Sequence, residues 1–301
     1  MRAHNLLRMT LAGALLLAGT AFADEGTGFT LKMDRLDLAI YDVDVDTDSS
    51  KFNEYRDWNS GFAIPKMKIK GEDESGRYLE FKSTWIGRRD ARYTLDYGVS
   101  GKWSMMVDYN KIPHRFGNNG LILFSETSPG RWQIADSIQQ SLQNTLVQQF
   151  ATDKSKITYA YLDRLITPYL NAANTIDLDL QRDRTRAVVE VGQMGHMAWK
   201  LDYAHENRTG NRPYGASFGF GNVVELPEPI DYATDNATLS GELKGKSGGL
   251  TFGYRYSTFK NDVDSMIFDN PFRYTDSTDP SAYQAPGSAS VGGSATGQAD
   301  L

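Results

Sequence analysis

The chain has 301 residues, no cysteine and a formal charge of −6. Without cysteine it cannot form disulfide bonds, thiolate metal sites or covalent haem links through Cys-x-x-Cys-His. The negative charge argues against a nucleic-acid partner. Its 16 Tyr, 14 Phe and 28 Gly, with few long apolar runs, are typical of many short strands and turns.

The N-terminus predicts export. A basic stretch in the first eight residues precedes an apolar run at 9–19 and a small-x-small cleavage site at 21–23. We therefore expect a signal peptide over 1–23 and a mature chain over 24–301. The apolar run is shorter than the roughly 20 residues of a membrane-spanning helix. No later stretch approaches that length, so a mature chain that enters a membrane must cross it as strands.

Apolar and polar residues alternate along many segments, which puts one residue set on each face of a strand. The segments 91–99 and 102–110 alternate most clearly, and the two residues between them predict a hairpin with a very short turn. The alternation predicts nine strands, at 29–41, 61–70, 79–85, 91–99, 102–110, 187–191, 197–206, 232–245 and 250–257.

The two faces of these strands differ in chemistry. Several segments run to about ten residues, the length that a tilted strand needs to cross a bilayer, whereas soluble strands average about 5–6. We predict an all-β protein, a transmembrane antiparallel β-barrel of about nine strands. Trp103, Tyr109, Trp199 and Tyr256 should face outer-membrane lipid or its interface with water. The candidate contacts to a partner inside the lumen are Arg92, Asp96, Lys102, Asp108, Lys200, Asp202 and Arg255.

The joins between strands suggest an orientation. Every join on one side is short, which is the periplasmic pattern of bacterial barrels, and all the long joins fall on the other side. The short periplasmic joins are 71–76, 100–101, 194–196 and 246–248; the outer joins are 42–60, 87–90, 113–183 and 207–231.

The insertion at 113–183 contains apolar residues at every fourth position, which predicts a helical excursion in this loop. The excursion could be a self-packed loop domain, or a cap or docking surface. Pro113 and His114 open the segment, where we expect a strand-end turn stopped by the proline; a haem ligand is the alternative.

Nine strands is an odd number, whereas barrels of single bacterial chains close with an even number. The last residues, 288–301, are rich in Gly, Ser and Ala and show no strand pattern. We therefore expect the chain to be the N-terminal part of a longer barrel.

No arrangement of residues predicts an enzyme. No serine nucleophile motif, phosphate loop or dinucleotide fingerprint is present in the sequence. The histidines are scattered, and the acidic run Asp42, Asp44, Asp46 and Asp48 lacks the glycine and glutamate of a calcium loop. We predict no catalytic, metal or cofactor site.

Two stretches carry a family resemblance. One runs from Tyr41 to Asp57, and the other from Gly101 through Ile112-Pro113-His114-Arg115-Phe116 to Asn118. With parts of 176–183, they resemble the N-terminal part of the MtrB/PioB family of decahaem-associated outer-membrane barrels. The resemblance implies a large barrel in the Gram-negative outer membrane that sheaths a periplasmic multihaem cytochrome c and so forms a transmembrane electron conduit. Unlike some members, this chain lacks a Cys-x-x-Cys near its mature start.

The strands alone also fit a general diffusion porin, and the long outer joins fit a surface structural β-protein. The presence of a neighbouring gene that encodes many Cys-x-x-Cys-His motifs would favour the conduit.

Overall fold

The computed structural model describes residues 28–47, 49–194, 196–217, 223–271, 273–276 and 296–301. The expected signal peptide lies outside these ranges. Along the chain the strands are β1 Thr30–Tyr41, β2 Gly61–Glu72, β3 Arg77–Thr84, β4 Arg92–Val99, β5 Trp103–Ile122, β6 Ser125–Ser128, β7 Arg131–Gln133, β8 Asn174–Met194, β9 Met197–Ser217, β10 Val223–Gly245, β11 Gly248–Asn261, β12 Ser265–Asp269 and β13 Thr296–Asp300. The α-helices are α1 Asp136–Asp153 and α2 Tyr159–Leu170, and two 3-10 turns lie at Ser50–Asn53 and Lys154–Lys156.

Nine strands form one sheet in the order β1-β2-β3-β4-β5-β8-β9-β10-β11, and every neighbouring pair is antiparallel. Each of the nine predicted strands corresponds to one of them, so the all-β prediction is confirmed. The sheet is that of a partial outer-membrane barrel, because its strands neighbour one another in chain order, with the join between β5 and β8 carrying the excursion. In the part of the chain that the structure describes, β1 and β11 are its two edges.

The two ends of the sheet differ in their joins. At the short-turn end the joins are 73–76, 100–102, 195–196 and 246–247, and at the long-join end they are 42–60, 85–91, 123–173 and 218–222. Two predicted boundaries are wrong. The excursion is shorter than 113–183, because β5 and β8 extend into it from both sides. The predicted long join 207–231 is only 218–222, which is not described, because β9 and β10 are 21 and 23 residues long.

The missed strand extensions contain prolines, whose rings remove a backbone donor. Pro113 lies inside β5, so the expected strand-end turn there is wrong. Lys111 donates its backbone N–H to the Ala91 carbonyl, and Arg115 donates to Glu54. Backbone N–H groups two residues apart in a strand point the same way, so a donor at position 113 would point to the β4 side, as those of Lys111 and Arg115 do. At that height β4 has not yet begun, because its first residue is Arg92. That is where a strand tolerates proline.

The prolines of β10 follow the same rule. The Asp231 carbonyl accepts from Asp262 on the β11 side, so Pro227 and Pro229 also point to that side. The pairing of β10 with β11 begins only at Tyr232, and these prolines therefore cost the ladder no described hydrogen bond.

A smaller subdomain lies beside the long-join end of the sheet. A four-stranded sheet in the order β13-β12-β7-β6 packs with α1, and we call these elements, with α2, the accessory subdomain. Residues 296–301 were predicted to lack strand structure, but Thr296–Asp300 pairs with β12 as β13. None of the helices in the described ranges is long and apolar enough to cross a membrane.

The accessory subdomain shares one core with the parts of β9 and β10 that lie at the long-join end of the sheet. The core combines Trp132, Ile134 and Phe268 of the subdomain with Ala216 of β9 and Leu226 of β10, all between 0 and 3 % exposed. The helical excursion is therefore packed on the sheet through its own core. This packing agrees with the first alternative, a self-packed loop domain. Because its core includes residues of β9 and β10, the domain is also fixed against the sheet.

Candidate functional site

The strand register brings six of the seven candidate lumen residues to one face of the sheet, which we call the polar face. Arg92 pairs with Asn110, Asp96 with Met106, and Asp108 with Arg186. Further along the same rows, Lys200 pairs with Glu190, Asp202 with Val188, and Thr238 with Arg255. Lys102, the seventh, lies in the turn 100–102 at the short-turn end.

Charged side chains on the polar face pair across strands. The Arg92 Nε lies 2.7 Å from an Asp108 carboxylate oxygen, and the Lys200 Nζ lies 2.7 Å from Glu190. Arg186 pairs with Asp202, and Lys68 of β2 lies 2.9 Å from Glu80 of β3. Such pairs stay hydrated and contribute modestly to stability. They make the face a continuous ionic surface, which is the chemistry of a water-filled lumen.

The polar face is concave over β8 to β11. A cleft of about 550 Å³ opens there, and all of its lining residues belong to the polar face. It contains Asp202 and Arg255 of the predicted set, together with three arginines of β8 that were not among the candidates: Arg182, Arg184 and Arg186. Their spacing at every second residue would have predicted that they share one face of a strand. They were missed because the predicted strand began only at residue 187. We call this site the arginine cleft.

The opposite face, the apolar face, carries the predicted lipid-facing residues. Trp103 and Trp199 both pair with Val191, and Tyr109 and Tyr256 occupy the same face further along their strands. Tyr254 is 70 % exposed and Leu250 is 59 % exposed. In a nine-stranded sheet such exposed apolar side chains mark a surface that meets another apolar phase.

Aromatic pairs lie near both limits of the apolar band. At the short-turn end Trp103 packs edge-on to Tyr97 at 5.4 Å, and Trp199 packs edge-on to Phe252 at 5.6 Å. Toward the long-join end, Tyr93 stacks on Tyr109 at 6.2 Å. The row of Tyr109 continues into Thr185, His205 and Asp235, so the apolar character ends there.

The height of the band fits a bilayer. Along β10 it runs from Leu243 to Asp235, a length of about 27 Å at ~3.4 Å per residue. At the tilt of ~40° usual in barrels this gives about 20 Å of height, close to the ~25 Å apolar band of outer-membrane barrels.

Residues of the two resemblance stretches meet at the long-join end, beyond Arg92, the first residue of β4. The Ser50 hydroxyl donates to the Phe116 carbonyl at 2.9 Å, and the Arg115 N–H donates to Glu54 at 2.9 Å. The His114 Nε2 lies 3.3 Å from the Glu54 carboxylate, and its ring stacks on Tyr55 at 4.6 Å. The join 42–60 thus fills the gap that the short β4 leaves.

Arg89, which sequence reasoning did not single out, extends this network to β8. Its guanidinium lies 2.7 Å from an Asp179 carboxylate oxygen and 3.3 Å from the Gln181 amide oxygen. The backbone N–H of Arg89 donates to the Asp57 carboxylate at 3.0 Å. These contacts tie the join 42–60 and the join 85–91 to β8. Asp48 of the acidic run lies outside the described residues. Elsewhere in the described chain, no three His, Asp or Glu side chains converge in a metal-binding arrangement.

The accessory core covers the polar face at the long-join end. The pairing of β9 with β10 runs without a break from Val223 to Leu243, so Leu226 in the core and Thr238 in the arginine cleft lie on the same face. The polar face is therefore charged toward the short-turn end. Toward the long-join end the same face is apolar and is buried under the accessory subdomain.

Buried Asp269 belongs to this accessory subdomain. Its carboxylate accepts from the backbone N–H of Ile134 at 3.1 Å, two residues before α1 begins. Burial, with Asp276 and Asp136 nearby, raises the pKa of Asp269 to about 6, although the Ile134 N–H and Arg131 favour the charged form.

An antiparallel sheet with a concave ionic face and a banded apolar face defines a transmembrane β-barrel wall. A sequence model of the family described as "Putative outer membrane beta-barrel porin, MtrB/PioB" matches residues 44–290. The chain belongs to this family, and it is an outer-membrane protein of a Gram-negative cell. It is also 25 % identical over 210 residues to the outer membrane protein MtrB of Shewanella baltica (strain OS185). That alignment covers 67 % of this chain and 26 % of the relative, so the chain spans about a quarter of the relative's length.

Proposed function

We propose that this chain forms part of a barrel wall that encloses a periplasmic multihaem c-type cytochrome, so that the pair conducts electrons across the outer membrane. The observation that carries the proposal is the opposition of the two faces: ionic and concave on one side, apolar and banded with aromatic rings on the other. The family resemblance supplies the identity of the occupant. In this account the short-turn end faces the periplasm, and residues 1–23 are the export signal.

The role of the wall is insulation and positioning. The cytochrome holds the haems, and the barrel keeps it in the bilayer and away from lipid. This chain supplies no redox group and no catalytic group of its own. The ionic contacts of the polar face would set the orientation and encounter rate of the cytochrome more than its affinity.

The test is to purify the full-length protein from cells that contain the multihaem cytochrome and from cells that lack it, and to record visible spectra. We expect a haem Soret band only when the cytochrome is present. A Soret band that persists without the cytochrome would contradict the sheath.

The alternative function is a diffusion porin, which the family description favours. A protein that never co-purifies with haem and conducts small ions freely would support it. A surface structural β-protein would do neither.

A further inference from the structure

The arginine cleft concentrates positive charge on the polar face. Arg182, Arg184 and Arg186 stand at every second position of β8, about 7 Å apart along the strand. Arg255 approaches from β11 on the other side of the cleft. Like charges this close disfavour one another unless anions lie between them.

The carboxylates of the cleft satisfy only two of these arginines. The Arg182 Nη2 lies 2.6 Å from Glu206, and Arg186 pairs with Asp202. Arg255 reaches only the amide oxygen of Asn236, at 3.3 Å. Arg184 has no carboxylate within ion-pair distance among the described residues. The cleft therefore holds two guanidinium groups, those of Arg184 and Arg255, that no carboxylate of the described residues meets within ion-pair distance.

The cleft also contains neutral hydrogen-bond donors. Thr234, Asn236 and Thr238 line the same cleft with further donors.

We propose that the arginine cleft is a carboxylate-binding site. Guanidinium groups bind carboxylates through two parallel hydrogen bonds, so Arg184 and Arg255 are the residues that would engage them. The identity of the occupant rests on the proposed function: the carboxylates are those that the enclosed haem protein displays, either haem propionates or Asp and Glu side chains. The affinity of the cleft for carboxylate does not rest on it.

The first experiment needs no haem protein. The full-length protein, purified from cells without the cytochrome, is treated with phenylglyoxal in citrate or in chloride at equal ionic strength, and arginine modification is read by mass spectrometry. We expect citrate to slow the labelling of Arg184 and Arg255 several-fold. Arg56, exposed and outside the cleft, is the internal control and should label equally in both salts. Equal labelling of Arg184 and Arg255 in the two salts would overturn the site.

The second experiment tests the occupant. Arg184→Gln with Arg255→Gln should release the cytochrome at lower NaCl than wild type. The control is Lys32→Gln with Lys66→Gln, which removes the same charge from the polar face of β1 and β2 and should not. Release of the cytochrome at the same NaCl from both double variants would overturn the contact even though the sheath itself stands.

The source of the carboxylate is read separately. Arg184→Lys keeps the charge and provides an amine that a carbodiimide joins to a carboxylate in contact. A cross-linked peptide that carries haem on its propionate, or one joined through Asp or Glu, supports the site and names the source. A complex that yields neither cross-link would count against it.

Discussion

Arg212 of β9 and Glu228 of β10 face each other across the ladder and form a two-bond ion pair, with Nε–Oε2 at 2.6 Å and Nη2–Oε1 at 2.7 Å. Glu228 is 1 % exposed. The pair lies where the polar face passes beneath the accessory core. The buried Glu228 carboxylate is stabilised here because both of its oxygens accept hydrogen bonds from the Arg212 guanidinium.

Breaking that pair should be costly. Arg212→Ala leaves a buried carboxylate without its partner, which we expect to cost about 3–5 kcal/mol of the free energy of unfolding. The double variant Arg212→Leu, Glu228→Leu should recover most of the loss, because it removes the buried charge as well. Urea midpoints of the purified protein in detergent provide the measurement. Equal midpoints for wild type and Arg212→Ala would contradict this role.

Adjacent residues of β5 should respond oppositely to a charge. Met105 lies on the apolar face and Ser104 on the polar face, opposite Glu190. Met105→Arg places a cation in the lipid band and should cost about 2–4 kcal/mol near the midplane, whereas Ser104→Arg should be nearly neutral. Refolding titrations into lipid vesicles measure both. Similar costs at the two positions would argue against a membrane wall.

Gly210 should not tolerate a side chain. It has a φ of +126° at the last pairing of β8 with β9, and an added Cβ would collide with the Asp179 carbonyl. Gly210→Ala should therefore destabilise the protein by about 1–3 kcal/mol. The neighbouring Thr209→Ala is the control. Gel mobility as a function of temperature shows the difference, and unchanged unfolding of Gly210→Ala would refute the strained geometry.

Asp269 and Asp73 should make the free energy of unfolding depend on pH in opposite directions. The Asp269 pKa is raised to about 6 from an ordinary 3.8, so the unfolded chain loses this proton first and stability falls between about pH 4 and 6. The Asp73 pKa is lowered to about 2 by the Ser75 hydroxyl and Arg77, so its contribution is present above pH 4 and is lost as the pH falls toward 2.

Substitution separates the two groups. Asp269→Asn should flatten the decline between pH 4 and 6 and raise stability at pH 7, since asparagine keeps the acceptor for the Ile134 N–H without the charge. Asp73→Asn, the control, should lower stability by a constant amount above pH 4 and remove the rise between about pH 2 and 4, without changing the slope between pH 4 and 6. Thermal unfolding followed by circular dichroism across this range is the measurement. An Asp269→Asn profile that parallels wild type would rule out a buried, protonated carboxyl.

The alternation in the sequence was sufficient to predict the nine strands and which residues share a face. It failed at the strand ends. Pro113 was interpreted as the end of a strand, and Pro227 and Pro229 fell in the predicted join 207–231, but each of these prolines lies where the neighbouring strand has already ended. The tolerance of a proline depends on the length of the adjacent strand, which no local pattern records.

The candidate site was predicted in part. Asp202 and Arg255 were identified because their strands alternate clearly, whereas Arg184 and Arg186 were missed because the β8 boundary was placed too late. The network around Arg89 could not be predicted, because it joins residues about 90 positions apart in the chain.

The most direct test of the sheath uses neighbouring residues on opposite faces. The chain has no cysteine, so Thr238→Cys and Leu239→Cys each introduce a single attachment point for a photo-crosslinker, the first on the polar face in the arginine cleft and the second on the apolar face. After illumination of whole cells that contain the multihaem cytochrome, crosslinked bands are stained for haem. The account predicts a haem-staining band from position 238 and none from position 239. A haem-staining band from position 239, or none from either position, would contradict the enclosure of a cytochrome by the polar face.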